Sequence, residues 1–206
     1  MLLPARFLRF AAALILCFTF AYGRSSRAST IFVTTLQQKI GTTGGCSLQE
    51  AIYSANLHAN VAVDFVHSLG EDHLIPTECV PGTGNDVIVL PASGVFQMSS
   101  ITQDAHNFTG PTATPIITST ITIQGNGATL QWLNANLNAR AFAVGTGGNL
   151  TITEMFITGF IAKGGKGSGG GGGGMGAGGA IYVESGTLTI VGCTFSNNGA
   201  LGGGGA

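Results

Sequence analysis

Asn149-Leu150-Thr151-Ile152-Thr153-Glu154-Met155-Phe156-Ile157 superposes on Thr187-Leu188-Thr189-Ile190-Val191-Gly192-Cys193-Thr194-Phe195 at an offset of 38 residues, Leu150 falling on Leu188. In both stretches aliphatic residues alternate with Thr, which gives a β-strand one apolar and one polar face. Each is preceded by a shorter strand-like run, Phe142-Ala143-Val144 and Ile181-Tyr182-Val183. A third relative, Ser119-Thr120-Ile121-Thr122-Ile123-Gln124-Gly125, sets Ile121 29 positions before Leu150. A preserved strand at variable spacing is the pattern of stacked units whose insertions all leave from one corner. A sandwich or antiparallel barrel would space its strands more evenly and join them by tight Asn-Gly or Asp-Gly hairpins, which are scarce here. The expected fold is therefore all-β, a parallel β-helix (solenoid) in which equivalent residues stack about 4.8 Å apart.

Working outward, the run from Gly164 to Gly179 carries the insertion between two of these units. Glycine offers no side-chain surface and loses the most backbone entropy on ordering, so this run is read as an exposed loop. A second glycine run, Gly202 to Gly205, follows Ala200-Leu201. A stack that stops there has an open edge and no cap, so the sequence is read as a fragment, truncated at its C-terminal side.

Upstream, Asp86-Val87-Ile88-Val89-Leu90 and Gly94-Val95-Phe96-Gln97-Met98 read as two strands around a Pro-Ala-Ser-Gly turn, and residues 31–35 (Ile-Phe-Val-Thr-Thr) as a first strand. Gly41 to Gly45 form a glycine-rich turn after it, and Pro76, Pro81, Gly82 and Gly84 mark a loop. Between them a short capping helix is predicted. Ser47 is its N-cap, Glu50 the return half of a capping box, and Leu48, Ala51, Ile52 and Ala55 its apolar stripe.

The N-terminus pairs Arg6 and Arg9 with an apolar stretch from Phe10 to Tyr22 and then small residues. That is the pattern of a secretory signal peptide, and the stretch is shorter than the roughly 20 apolar residues of a membrane span. Cys17 does not make it a lipoprotein signal, because bulky Leu14-Ile15-Leu16 precede it. The organisation expected is a signal peptide over 1–28, a cap with the first coils over 29–100, and β-helix coils over 101–206 with the insertion at 164–179. In an exported protein Cys46 and Cys79 are disulfide candidates. A metal site using nearby His58, His67 and His73 is the competing reading, without the close ligand spacing that metals prefer. Cys193 is left over in a strand-like run, where a free cysteine acts as a small hydrophobe.

Only 8% of the residues are charged and the formal net charge is −1, a balance that removing Arg6 and Arg9 makes more negative. Such a chain offers nothing to a nucleic-acid backbone. From residue 100 onward the acidic side chains are Asp104, Glu154 and Glu184, and the basic ones Arg140, Lys163 and Lys166. Glu154 aligns with Val191 and Glu184 with Gly145 or Thr146, so the two glutamates do not stack into a carboxylate pair of the kind that cleaves glycosides. Lys166 is followed by Gly167 rather than Ser or Thr, which excludes a phosphate-binding loop, and the glycine run lacks the Asp of calcium-binding nonapeptides. No catalytic residue, cofactor site or metal site is assigned. Trp132 and Tyr182 stand as candidate contact aromatics, with ordinary packing as the alternative for each.

Two short stretches resemble known families. Cys46-Ser47-Leu48-Gln49-Glu50-Ala51-Ile52, with Ser54-Ala55-Asn56 and later Asp86-Val87-Ile88-Val89-Leu90-Pro91, resembles the Cys-Ser-Leu-Arg-Glu-Ala domain that opens many bacterial secreted β-helix proteins. Gln49 stands where that domain has arginine. Gly178-Gly179-Ala180-Ile181 with Phe195-Ser196-Asn197-Asn198 is similar to the repeats of chlamydial polymorphic outer-membrane proteins. These resemblances imply a right-handed, pectate-lyase-like β-helix, export to the cell surface, and membrane attachment only through a missing C-terminal region. The function expected is a secreted or cell-surface scaffold in adhesion or envelope structure, with glycans or host or neighbouring surface proteins as partners. The alternative is a polysaccharide lyase or glycoside hydrolase of the same fold with its catalytic coils beyond the fragment.

Overall fold

The computed structural model describes residues 28–66, 71–102 and 109–206. The signal-peptide segment up to residue 27, Cys17, His67 and Asp104 lie outside the described residues. In chain order the elements are β1 (Thr30–Phe32), α1 (Leu48–Leu57), β2 (Val61–Val66), β3 (Glu71–Pro76), β4 (Asn85–Val89), β5 (Val95–Met98) and β6 (Thr120–Trp132). Then follow β7 (Phe142–Val144), β8 (Asn149–Thr158), β9 (Ile161–Lys163), β10 (Ile181–Val183), β11 (Thr187–Val191), β12 (Thr194–Ser196) and β13 (Gly199–Leu201). The protein is mostly β-structure with parallel sheets and one helix.

The main sheet runs β1-β4-β6-β8-β11, with β5 beside the second half of β6 and β12 beside the second half of β8, and every pairing in it is parallel. Its register sets like residues opposite one another. Ile31, Ile88, Ile123, Ile152 and Ile190 form one column across five strands. On the second halves, Phe96, Leu130, Ile157 and Phe195 form another. Inward residues from Ile31 to Ile157 in these columns are buried almost completely, whereas Ile190 and Phe195 in the last strands remain 44% and 39% exposed. β-Branched side chains stacked at strand spacing fill a narrow core without rotamer conflict, which is why Ile recurs at these positions. Parallel neighbours demand long connections, and the 29- and 38-residue offsets between Ile121, Leu150 and Leu188 supply them.

The strands bend sharply between their halves. Asn126 and Gly127 in β6, Glu154 in β8 and Gly192 after β11 all have positive φ, from 51° to 75°. A Cβ at Gly125 would collide with the carbonyls of Thr153 and Glu154, so this corner requires glycine. The register corrects one alignment from the sequence. Val191 lies opposite Thr153, so Gly192 and not Val191 occupies the corner equivalent to Glu154. Strand β1 also ends at Phe32 rather than Thr35. Val33 N still donates to Val89 O, but the amides of Thr34 and Thr35 turn to Cys46 O.

Helix α1 lies over one end of this core. Both halves of the capping box are present, Ser47 Oγ accepting from Glu50 N and Glu50 Oε2 accepting from Ser47 N. Leu48, Ala51, Ile52 and Ala55 join the same hydrophobic cluster as the sheet. The opposite side of the helix packs Tyr53 against Ala62 and Val63 of an antiparallel hairpin, β2 with β3. That hairpin has no counterpart in the sequence reading, because Glu71-Asp72-His73 and Pro76 hide the apolar alternation of its second strand. Cys46 and Cys79 are disulfide-bonded with Cα atoms 4.8 Å apart, and Cys193 is free. The bond ties the start of α1 to the loop before β4.

Candidate functional site

Two surfaces are built by these elements. The first is the outward face of the main sheet. Because side chains alternate along each strand, the residues between the buried aliphatics form columns of their own: Asn85, Thr120, Asn149 and Thr187, then Val87, Thr122, Thr151 and Thr189. The second halves add Gln97, Gln131, Thr158 and Ser196. None of these positions is charged. Neighbours in a column bond to each other: Ser196 Oγ lies 3.0 Å from Thr158 Oγ1, and Asn149 Nδ2 lies 3.4 Å from Thr120 Oγ1. The result is a regular, uncharged array of hydroxyl and amide groups, interspersed with the exposed apolar side chains of Phe32, Val95, Phe156 and Val191.

The second is a cleft of about 620 Å³ between the cap and the chain turns beside the sheet. Helix α1 contributes Tyr53, Asn56 and Leu57, the hairpin contributes Asp72 and Leu74, and Glu184 closes the far side after β10. Asn56 bonds through both ends of its amide. Its Nδ2 donates to Ile116 O at 2.7 Å, and its Oδ1 accepts from Thr118 N and Ser119 Oγ. It holds the helix to the turn before β6 and is a positioning residue. Asp72 and Glu184 bring two carboxylates to the cleft.

The residues singled out from the sequence fall as follows. Trp132 is only 8% exposed; its Nε1 donates to the carbonyls of Asn134 and Leu137, and its ring meets Phe160 at 5.8 Å. It belongs to the core. Tyr182 lies beneath the Arg140 guanidinium, 5.0 Å from the ring centroid. Arg140 donates to Ala177 O and Thr109 O, so it staples two loops. Burial lowers its pKa from the ordinary value and Tyr182 opposes that shift, yet guanidinium stays charged under ordinary conditions. Glu154 sits at a corner of β8 and Glu184 in the cleft, so the structure does not bring them together. Cys46 and Cys79 are joined to each other, which removes both thiolates as metal ligands. Among the described residues no group of three or more His, Cys, Asp or Glu is placed to hold a metal ion.

Sequence reasoning missed two buried polar centres. Glu50 is fully buried and does more than cap α1: its Oε1 takes the Lys39 ammonium at 2.7 Å and the Gly41 amide at 2.8 Å. Asp86, 2% exposed, accepts from the amides of Ser29, Thr83 and Gly84 and orders the loop before β4. Its only local signal was the Thr83-Gly84 turn preceding it. Among the described residues no helix is long and apolar enough to cross a membrane. Compared with known proteins, the chain matches no family model, and no curated protein or solved structure is significantly similar to it.

Proposed function

We propose that the chain is an exported parallel β-helix scaffold of the cell surface or extracellular space, acting in adhesion or envelope structure through the neutral face of its sheet. The observation that carries this reading is the in-register stacking of Ile31, Ile88, Ile123, Ile152 and Ile190 inside and of Thr122, Thr151 and Thr189 outside. A repeated unit stacked with one pitch keeps both columns aligned in this way, which supports a solenoid, and the resemblance of residues 46–52 implies the right-handed, pectate-lyase-like kind. The disulfide supports an oxidising compartment. The resemblance of Cys46 to Ile52 to the cap of secreted β-helix proteins, and of the Gly178-Gly179-Ala180-Ile181 stretch to polymorphic outer-membrane repeats, supports a surface role. Regular columns of Thr, Asn and Gln without charge suit uncharged glycans or polar protein surfaces, since they recognise by many weak hydrogen bonds rather than by ion pairs.

Pull-down of the purified chain on cellulose and chitin tests this reading. Retention that is lost in Thr122→Lys/Thr151→Lys, with the circular dichroism of the native protein preserved, supports it. Release of reducing sugar from those polymers would replace it with the alternative, a polysaccharide lyase or glycoside hydrolase of the same fold.

A further inference from the structure

The glycine-rich insertion has a hydrogen-bond pattern of its own. Three segments take part: 164–168, 171–176 and 201–206. Between the first and third, Gly164 N donates to Leu201 O and Gly167 N to Gly204 O, at 2.9 and 2.8 Å. Between the second and first, Gly174 N donates to Gly165 O and Gly171 N to Ser168 O. Between the third and second, Gly203 N donates to Gly174 O and Ala206 N to Gly171 O. On every side of this triangle the bonded residues recur every third position. Strands would repeat every second residue and an α-helix would bond within itself, whereas a period of three with all bonds between segments is the polyproline II geometry, whose backbone has no internal partners.

The sterics agree with the bonding. A Cβ at Gly164 would fall on the Gly174 carbonyl, at Gly173 on that of Gly203, and at Gly203 on that of Gly165. One residue away, a Cβ at Gly165, Gly172 or Gly204 would meet nothing within 4 Å. The inner positions are therefore closed to any side chain and the outer ones open, the same distinction that admits only glycine at the axis of collagen.

We infer that the insertion is a polyglycine clasp, a three-segment bundle that joins one layer of the stack to the next and orders only when both are in place. Two of its segments come from the insertion after β9, and the third comes from the chain after β13, which pairs with β9. Without the third, the amides of Gly164 and Gly167 and the carbonyls of Gly171 and Gly174 lose their partners. The clasp thus couples the docking of β13 to the ordering of 164–176.

Amide hydrogen exchange on the full chain, followed residue by residue by NMR, tests this. In the native protein the amides of Gly167, Gly174 and Gly203 should exchange at least about tenfold more slowly than in a free glycine peptide. Gly203→Ala should bring all three to the free rate while Ile152 in β8 stays protected, and Gly204→Ala and Gly172→Ala should leave them protected. The inference is overturned if the native amides already exchange at the free rate, or if inner and outer substitutions behave alike. It is equally overturned if Gly203→Ala releases only its own amide, because the insertion then orders by itself. Loss of Ile152 protection in Gly203→Ala would implicate the whole stack, and Gly173→Ala, whose position lies outside the strand pairings, then decides between the same outcomes.

Discussion

Gln49 and Glu50 are adjacent, buried and polar, but their surroundings treat them differently. Glu50 satisfies Ser47 N, Gly41 N and the Lys39 ammonium, so removing its carboxylate strands a cation and two amides. Gln49 donates to Ala113 O at 3.2 Å and to Met98 Sδ, while its Oε1 has no partner. Ala113 O also accepts from Thr102 Oγ1 and Gln38 Nε2 and stays satisfied without Gln49. Glu50→Ala should therefore cost about 3–5 kcal/mol, the range for breaking a buried ion pair. Gln49→Met, which keeps the volume and removes an orphan acceptor, should be neutral or stabilising within about 1 kcal/mol. Urea titration of both variants checks the contrast; a Gln49→Met loss as large as that of Glu50→Ala would contradict it. The capping role of Glu50 was legible at a spacing of three residues. Its bonds to Lys39 and Gly41 were not, because they depend on how the chain returns after β1.

At the scale of elements, legibility followed the range of the interaction. Helix α1 carries its own start signal in Ser47 and Glu50, and the strands carry theirs in the Thr-Ile alternation. The hairpin β2–β3 was hidden because its second strand opens with Glu71, Asp72 and His73, and its stability comes from packing against Tyr53. The glycine segments carry no side-chain pattern, and their bonds join residues such as Gly164 and Leu201. The disulfide is the main covalent constraint on the cap, closing a loop of 33 residues. By the loop-entropy relation, Cys46→Ser/Cys79→Ser should lower stability by about 3–4 kcal/mol, with the change read at α1 and the loop before β4. Thiol labelling of the native, folded protein should modify Cys193 and spare Cys46 and Cys79; labelling of Cys46 or Cys79 without reductant would refute the bond.

For the whole molecule, burial of the inward residues is graded across the main sheet. Ile88, Ile123 and Ile152 are completely buried, whereas Ile190 in the same column and Phe195 beside Ile157 keep 44% and 39% of their surface. A strand in a sheet gains stability from neighbours on both sides, so strands with one neighbour open first. Hydrogen-exchange mass spectrometry should show protection falling from β4, β6 and β8 to β11, β12 and β13. Uniform protection across all of them would mean that the last strands are held by something other than their contacts with β8 and β9. The surface that makes the candidate site, columns of Thr and Asn, was legible as alternation within each strand. Its continuity across strands depends on register, which the offsets of 29 and 38 residues encoded.

Those unequal offsets also carry a practical consequence. Leu150 faces Ile121 on one side and Leu188 on the other, although the intervening chain differs by nine residues. The extra length leaves and re-enters between β9 and β10, and its turn at Gly169 and Gly170 is a junction with open space around it that makes none of the clasp's hydrogen bonds. That junction is a ready attachment port for grafting a foreign peptide or reporter, displayed from the side of the stack without rewriting its core.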